Sequence, residues 1–228
     1  VAVVIDVLRA TSSIATAISS GCRGIIPAGS RDEALALKES HPEALLGGEI
    51  RSRKIDGFDL GNSPGDYGPE AVSGREVIMS TSNGTKAILA AQKGGADPTL
   101  IASFLNLSAV ARRAWQEMSE KEKNLTVICS GSHGKPSLED FACAGALTKA
   151  VLILGEGRPI SPDVTAQRAV EIYEGYRGNT LEIIEASPHG RDLMSMGFAE
   201  DLRRAAAIDS LEVVPIFDGK AIVACIKR

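Results

Sequence analysis

Short β-branched runs alternate along the chain with longer stretches whose apolar positions recur at helical spacing, the pattern of strands that feed helices. The first run, Val3-Val4-Ile5, ends in Asp6 and leads into a helix over about 12–20 that Gly21 closes. Gly24-Ile25-Ile26-Pro27 reads as a strand, and Ser30-Arg31-Asp32-Glu33 opens a second helix through a capping box. Ala44-Leu45-Leu46 is a further buried strand, ended by Gly47-Gly48-Glu49. Residues 48–74 then lose periodicity and gather Gly, Pro and Asp, a stretch long enough to be a functional loop. Strands at 77–81, 99–102 and 125–129 alternate with helices at 83–92, 106–119 and 138–154. Helices at 162–176, 181–186 and 199–207 follow, before an antiparallel hairpin of 212–217 and 220–224 about Asp218-Gly219. This order predicts an α/β protein of three-layer α/β/α form on a mostly parallel or mixed sheet. Residues 1–228 are expected to form a single compact domain, with two packed lobes as the alternative.

Composition narrows the class. Apolar residues make up 44 % and charged residues 24 %, enough for an ordinary core. Aromatic residues are only 4 %, which leaves few platforms for stacking bases. The net charge is −4 with no concentrated basic face, so nucleic acid is not an expected partner. Four widely spaced cysteines without a C-x-x-C pair read as reduced thiols of a cytoplasmic protein. No apolar run reaches transmembrane length, and a membrane is not expected either. The chain starts inside a strand pattern without Met, from which a missing N-terminal segment is expected. A homodimer is the assembly expected of an enzyme of this size and composition.

Five polar constellations could carry chemistry. Asp6 at a strand tip, followed by Arg9 and by Thr11-Ser12-Ser13, sets a carboxylate beside helix amides that attract anions. It reads equally as a metal ligand, nucleophile or base, or as an N-cap or a partner of Arg9. Gly47-Gly48-Glu49 is a second carboxylate at a strand end, followed by Arg51, Arg53 and Lys54, which suit an anion or an exposed basic loop. Ser80-Thr81-Ser82-Asn83-Gly84-Thr85-Lys86 combines hydroxyls, a glycine and helix N-terminal amides into an anion cradle, without Walker A spacing. Cys129-Ser130-Gly131 leads through a glycine-containing loop to Glu139-Asp140, where Asp140 is a second candidate metal ligand or base. Lys135 stands where a Cys-x5-Arg phosphatase loop needs Arg, which argues against a thiolate nucleophile at Cys129. Ser187-Pro188-His189-Gly190-Arg191 offers an acid or base and an anion clamp, or a plain polar loop. Because four of the five follow strand-like segments, all are expected to meet at one sheet edge.

The motifs Val4-Ile5-Asp6-Val7-Leu8-Arg9-Ala10-Thr11-Ser12, Leu46-Gly47-Gly48-Glu49, Gly57-Phe58-Asp59-Leu60-Gly61-Asn62-Ser63-Pro64 and Thr81-Ser82-Asn83-Gly84-Thr85 resemble the 2-phosphosulfolactate phosphatase family. Cys129-Ser130-Gly131, Glu139-Asp140 and the tail from Ser187-Pro188-His189-Gly190 to Asp201 extend the resemblance over nearly the whole chain. Ser82 stands where a second Thr would be expected, which keeps the hydroxyl. The resemblance implies Mg²⁺-dependent hydrolysis of 2-phospho-3-sulfolactate to 3-sulfolactate and phosphate, a step towards coenzyme M. Another phosphorylated hydroxy acid is the alternative substrate.

On that reading Asp6, Glu49 and Asp140 hold Mg²⁺ directly or through water, and the ion offsets phosphate charge and acidifies a bound water. Arg9, Thr11, Gly131 and the segment Thr81, Ser82, Asn83, Gly84 and Thr85 are expected around the phosphoryl group. Arg51, Arg53, His189 and Arg191 are assigned to the carboxylate and sulfonate. A covalent role for Asp6, as in haloacid dehalogenase-like phosphatases, would call for a second Asp two positions on. Leu8 stands there, so direct attack by water is preferred. A non-catalytic binder of an anionic metabolite is the reading from another class, and the clustered carboxylates count against it.

Overall fold

The structure, a computed structural model, describes residues 1–132 and 134–225. His133, within the loop expected at 130–136, lies outside the described residues. The elements run β1 (Ala2–Ile5), α1 (Ala10–Ser19), β2 (Gly24–Ala28), α2 (Arg31–Ser40), β3 (Leu45–Ile50) and β4 (Arg53–Lys54). After a 3-10 turn at Pro64–Tyr67 come α3 (Pro69–Val72), β5 (Glu76–Ser80), α4 (Gly84–Lys93) and β6 (Thr99–Ala102). A second 3-10 turn, Phe104–Asn106, precedes α5 (Leu107–Lys121), β7 (Thr126–Cys129) and α6 (Leu138–Leu154). Four helices, α7 (Val164–Gly175), α8 (Thr180–Ala186), α9 (Pro188–Ser195) and α10 (Ala199–Ala205), lead to the hairpin β8 (Pro215–Phe217) and β9 (Ile222–Ala224).

Two expectations are corrected at this level. Glu49 does not follow a strand but lies within β3. The strand continues through its glycines because any side chain at Gly48 would collide with β5, where a Cβ would stand 1.9 Å from the Ser80 carbonyl oxygen. The polar stretch 187–191 is not a loop but the first turn of α9. Pro188 occupies a first-turn position, where its missing N–H costs nothing, and the Ser187 hydroxyl accepts from Gly190 N at 2.8 Å. The Ser30 cap forms as expected, accepting from Glu33 N. The Glu33 carboxylate, however, returns to Gly29 N rather than to Ser30, so only half of the box is made.

Among the described residues the sheet has nine strands in the order β4-β3-β5-β2-β9-β8-β6-β1-β7. Alternate residues of each central strand enter opposite layers, as a period of two requires. On one face Ala2, Val4, Ile25, Val77, Met79 and Ile101 pack against Ile14 and Ile18 of α1 and Ile88 of α4. On the other, Val3, Ile5, Leu100 and Ala102 pack against α5, α6 and α8–α10, and Ala28, Leu46 and Ile78 pack against Ala34 of α2. This is the expected three-layer α/β/α arrangement on a mixed sheet.

The sheet does not present one common carboxyl edge. Strands β6, β1 and β7 are mutually parallel, as are β3, β5 and β2. The antiparallel pairings β6–β8, β8–β9 and β9–β2 set these two triplets in opposite senses. Five strand pairings separate β1 from β5, and twist of roughly 20–25° at each accumulates to about 100–125°. The end of β1 and the turn after β5 are brought together, with Gly84 at the head of α4 against Asp6 and Ala10. The catalytic candidates therefore meet over a coiled sheet, not along a flat edge.

Candidate active site

Asp6 leaves β1 and turns back on the chain. Its Oδ1 accepts from Ala10 N at 3.3 Å, at the head of α1, so it caps that helix as well as facing the cleft. Thr11 is committed to the same turn, its hydroxyl accepting from Asp6 N at 3.0 Å. The head of α4 closes against the carboxylate: a Cβ on Gly84 would stand 2.7 Å from Asp6 Oδ2 and 2.5 Å from Ala10 Cβ. Gly84 thus makes room for Asp6, and the positive end of α4 faces its charge.

Asp140, in the first turn of α6, reaches across to both neighbouring loops. Its Oδ1 accepts from Val7 N at 2.8 Å, and its Oδ2 from Gly131 N at 3.0 Å and the Ser130 hydroxyl at 3.4 Å. Glu49 is occupied in the same way. Oε1 accepts from Ser82 N at 2.7 Å, while Oε2 accepts from Ser52 N at 2.7 Å and the Ser82 hydroxyl at 3.2 Å. Ser52 lies at the two-residue turn between β3 and β4, where Arg51 and Ser52 both have positive φ. Its carbonyl accepts from Arg9 Nη2 at 2.6 Å and its hydroxyl lies 3.4 Å from His189 Nε2. Nothing in the sequence marks Ser52, whose importance comes from ties made by its N–H, its C=O and its hydroxyl.

Arg9 is a buried ion-pair partner. Its Nη1 donates to Asp201 Oδ2 at 2.8 Å and to the Ser63 hydroxyl at 3.2 Å, Ser63 itself donates to Asp201 at 2.7 Å, and the guanidinium lies 4.4 Å from the Phe198 ring centroid. The expectation of a free phosphate clamp is corrected accordingly: most of the head group is already held. The anion cradle is also more self-contained than its composition implied. The Thr81 and Thr85 hydroxyls each accept the other residue's backbone N–H at 3.1 Å. Asn83 is the N-cap residue of α4 without a side-chain cap bond. Arg51 and Arg191 are exposed, and Arg191 donates to the Ala186 carbonyl of the preceding helix. The structure therefore gathers Asp6, Arg9, Glu49, Ser82, Gly84, Gly131, Asp140 and His189, and leaves Arg51 and Arg191 at the surface. Sequence reasoning missed Ser52, Ser63, Glu139, Phe198 and Asp201 as site residues. A groove of about 1140 Å³ along β7, lined by Trp115, Phe141 and Ile160, shares Ser130 and Gly131 with this cluster but none of its acids.

Burial chiefly, opposed by His189, the Ser130 hydroxyl and Ala10 N, pushes the Asp6 carboxyl up to about 6. Burial again, followed by the charges of Asp6 and Glu139, pushes Asp140 up to about 8. Two carboxyls this close in a low-dielectric setting resist ionising together. The folded protein consequently binds more protons than the unfolded chain from about pH 4 to pH 8. Stability from this pair is full below the unfolded value and is lost as pH rises through the folded values. In EDTA, the melting temperature is expected to fall by about 5 °C or more from pH 5 to pH 8.5. Calorimetric scans showing a flat or rising trend would contradict the raised pair.

Direct coordination by three carboxylates is not what the side chains offer, since among the described residues no three His, Cys, Asp or Glu groups are arranged to hold a metal ion. Glu49 and Asp140 spend their oxygens on backbone amides. The donor chemistry nevertheless suits a hard dication. Asp6, Glu49, Glu139, Asp140 and Asp201 are all buried around Arg9 and His189, an excess of negative charge. Mg²⁺ commonly takes one or two carboxylates and completes its shell with water.

A family model described as 2-phosphosulpholactate phosphatase matches residues 1–220. A probable 2-phosphosulfolactate phosphatase of Symbiobacterium thermophilum is 38% identical over 225 residues, covering 98% of this chain and 93% of the relative. Proteins of the same description from Thermotoga maritima and a Nostoc species are 39% and 37% identical, each over 94% of this chain and 87% of their own length.

Proposed function

Because the chain belongs to the 2-phosphosulfolactate phosphatase family of phosphoric monoester hydrolases, we propose that it hydrolyses 2-phospho-3-sulfolactate to 3-sulfolactate and phosphate in a Mg²⁺-dependent reaction, as a step towards coenzyme M. The observation that carries this reading is the buried Asp6–Asp140 pair, with His189 near Asp6, at the converging N-termini of α1, α4 and α6. Such an arrangement is poised for a metal-supported phosphoryl group and unfavourable for an anion alone. Asp6 would hold Mg²⁺, with Glu49 and Asp140 contributing through water. When bound, the ion supplies charge neutralisation at the phosphate and a more acidic water.

The chain's own residues then orient the ester. The head of α4 faces the phosphoryl oxygens as it faces Asp6, and amides near a helix N-terminus favour such charge. Arg9, fixed by Asp201 and Ser63, presents a guanidinium whose position is set before substrate arrives. Glu49 ties the β3–β4 turn to the β5–α4 turn through Ser52 and Ser82, which sets the width of the cleft. Water is the nucleophile in this scheme; Leu8, in place of a second acid, is buried in the core and offers no general acid.

Phosphate release from 2-phospho-3-sulfolactate and from a panel of phosphorylated hydroxy acids, with Mg²⁺ and with EDTA, tests the reading. Turnover is expected with Mg²⁺ and highest on the sulfonated ester. Stoichiometric binding without phosphate release would identify a binder, and a different preferred ester would move the substrate assignment.

A further inference from the structure

We infer that His189 is the proton donor to the leaving oxygen and that Glu139 is the residue that positions it, a role that rests on the phosphatase reading above. His189 occupies the first turn of α9, where Pro188 and the Ser187 cap fix the backbone. One ring nitrogen, Nδ1, lies 3.6 Å from Glu139 Oε1, an ion-pair separation. Glu139 is 1 % exposed, and its other oxygen, Oε2, is buried with no hydrogen-bond partner. A carboxyl group so enclosed needs a polar partner, and the His189 ring is the one it faces. The second nitrogen, Nε2, looks the other way, towards Ser52 Oγ at 3.4 Å. That contact is long enough to be exchanged for a substrate oxygen.

The ring is thus gripped on one side and free to act on the other, as in hydrolytic triads where a buried acid orients an imidazole. The charged groups around it are Glu139 from α6, Asp6 from the end of β1 and Arg9 from the head of α1. Burial works to lower its pKa, Glu139 and then Asp6 outweigh it, and Arg9 opposes them, for a net shift upward. The net shift favours the protonated ring, the form that gives a proton through Nε2.

The chemistry requires such a donor because the leaving group is the alkoxide of a hydroxy acid, a strong base. As the bond from phosphorus to the ester oxygen breaks, the Nε2–H bond breaks with it and the proton passes to that oxygen, giving the alcohol. The oxygen of water forms the new bond to phosphorus and one of its protons leaves to solvent. Solvent then returns a proton to the neutral imidazole. The sum is ester plus water giving alcohol plus phosphate.

Two variants test the assignment. His189→Asn is expected to lose about 10²–10³-fold in kcat on 2-phospho-3-sulfolactate, but about tenfold or less on p-nitrophenyl phosphate, whose phenolate leaves without help. Equal losses on both esters, or no loss on the first, would overturn the role. Glu139→Gln, read on 2-phospho-3-sulfolactate alone, is expected to move the alkaline limb of the kcat/KM profile about one unit lower in pH. An unmoved limb overturns the positioning role, whatever the aryl ester shows. Circular dichroism of both variants separates these outcomes from misfolding. If the parent protein releases phosphate from neither ester, the phosphatase reading itself fails and this inference falls with it.

Discussion

Asp6→Asn is expected to slow Mg²⁺-dependent phosphate release by about 10³-fold while leaving the fold at least as stable as the parent above pH 7. Asparagine has the same shape, and its amide oxygen still accepts from Ala10 N at the head of α1. What disappears is a buried charge. That charge is costly in the folded protein, since burial and Glu49 raise the Asp6 pKa and Asp6 in turn raises that of Asp140. Removing it relieves the neighbour and deprives the proposed metal of its main ligand. Kinetics and melting temperature measured together at pH 8 separate the two effects. Full Mg²⁺-dependent turnover by the variant would remove Asp6 from the mechanism. A parallel collapse of stability and activity would make its role architectural.

The second large effect concerns the ion pair behind the cleft. Asp201→Ala is expected to cost about 3–5 kcal/mol of stability in urea unfolding, because it strands a buried guanidinium. Arg9 and Asp201 are 3% and 8% exposed at their side chains, so little solvent is available to replace the lost partner. Ser63 and the Ser52 carbonyl still contact Arg9, but neither carries a charge. Combining Asp201→Ala with Arg9→Met should cost less than the sum of the two single changes, the mark of a coupled pair. A loss below about 1 kcal/mol for Asp201→Ala would mean that the pair behaves like an exposed one.

The elements that announce themselves in the sequence are those whose signal is local. β6 and α6 fall where the patterning placed them, at Thr99–Ala102 and Leu138–Leu154, because an apolar run or a long helical repeat needs no distant information. α9 was hidden because Pro188 and Gly190 read as breakers. The glycine is there for packing: a Cβ at 190 would stand 1.9 Å from the Ile184 carbonyl oxygen. That requirement belongs to the meeting of α8 and α9 and leaves no trace in spacing. The same holds for the site. Asp6, Glu49 and Asp140 were visible as acids near strand ends or helix starts, whereas the Arg9–Asp201 pair spans 192 positions. Ser52 is placed by the fold alone. The opposed triplets of strands are likewise out of reach: the hairpin is legible at 212–224, but its insertion between β2 and β6, which reverses the sheet, leaves no mark on spacing.

That hairpin has a consequence for biosynthesis. β8 and β9 are hydrogen-bonded between β6 on one side and β2 on the other, and hold the two parallel triplets in one sheet. Until the ribosome has released residues 215–224, both triplets carry an unpaired apolar edge: Ile25 of β2, and Thr99 and Leu100 of β6, lack their partners. At roughly 5–20 residues per second, β2 waits on the order of ten seconds or more after its own synthesis for the neighbour that covers it. Over that interval both edges are open to mispairing, and the arrival of the hairpin closes them.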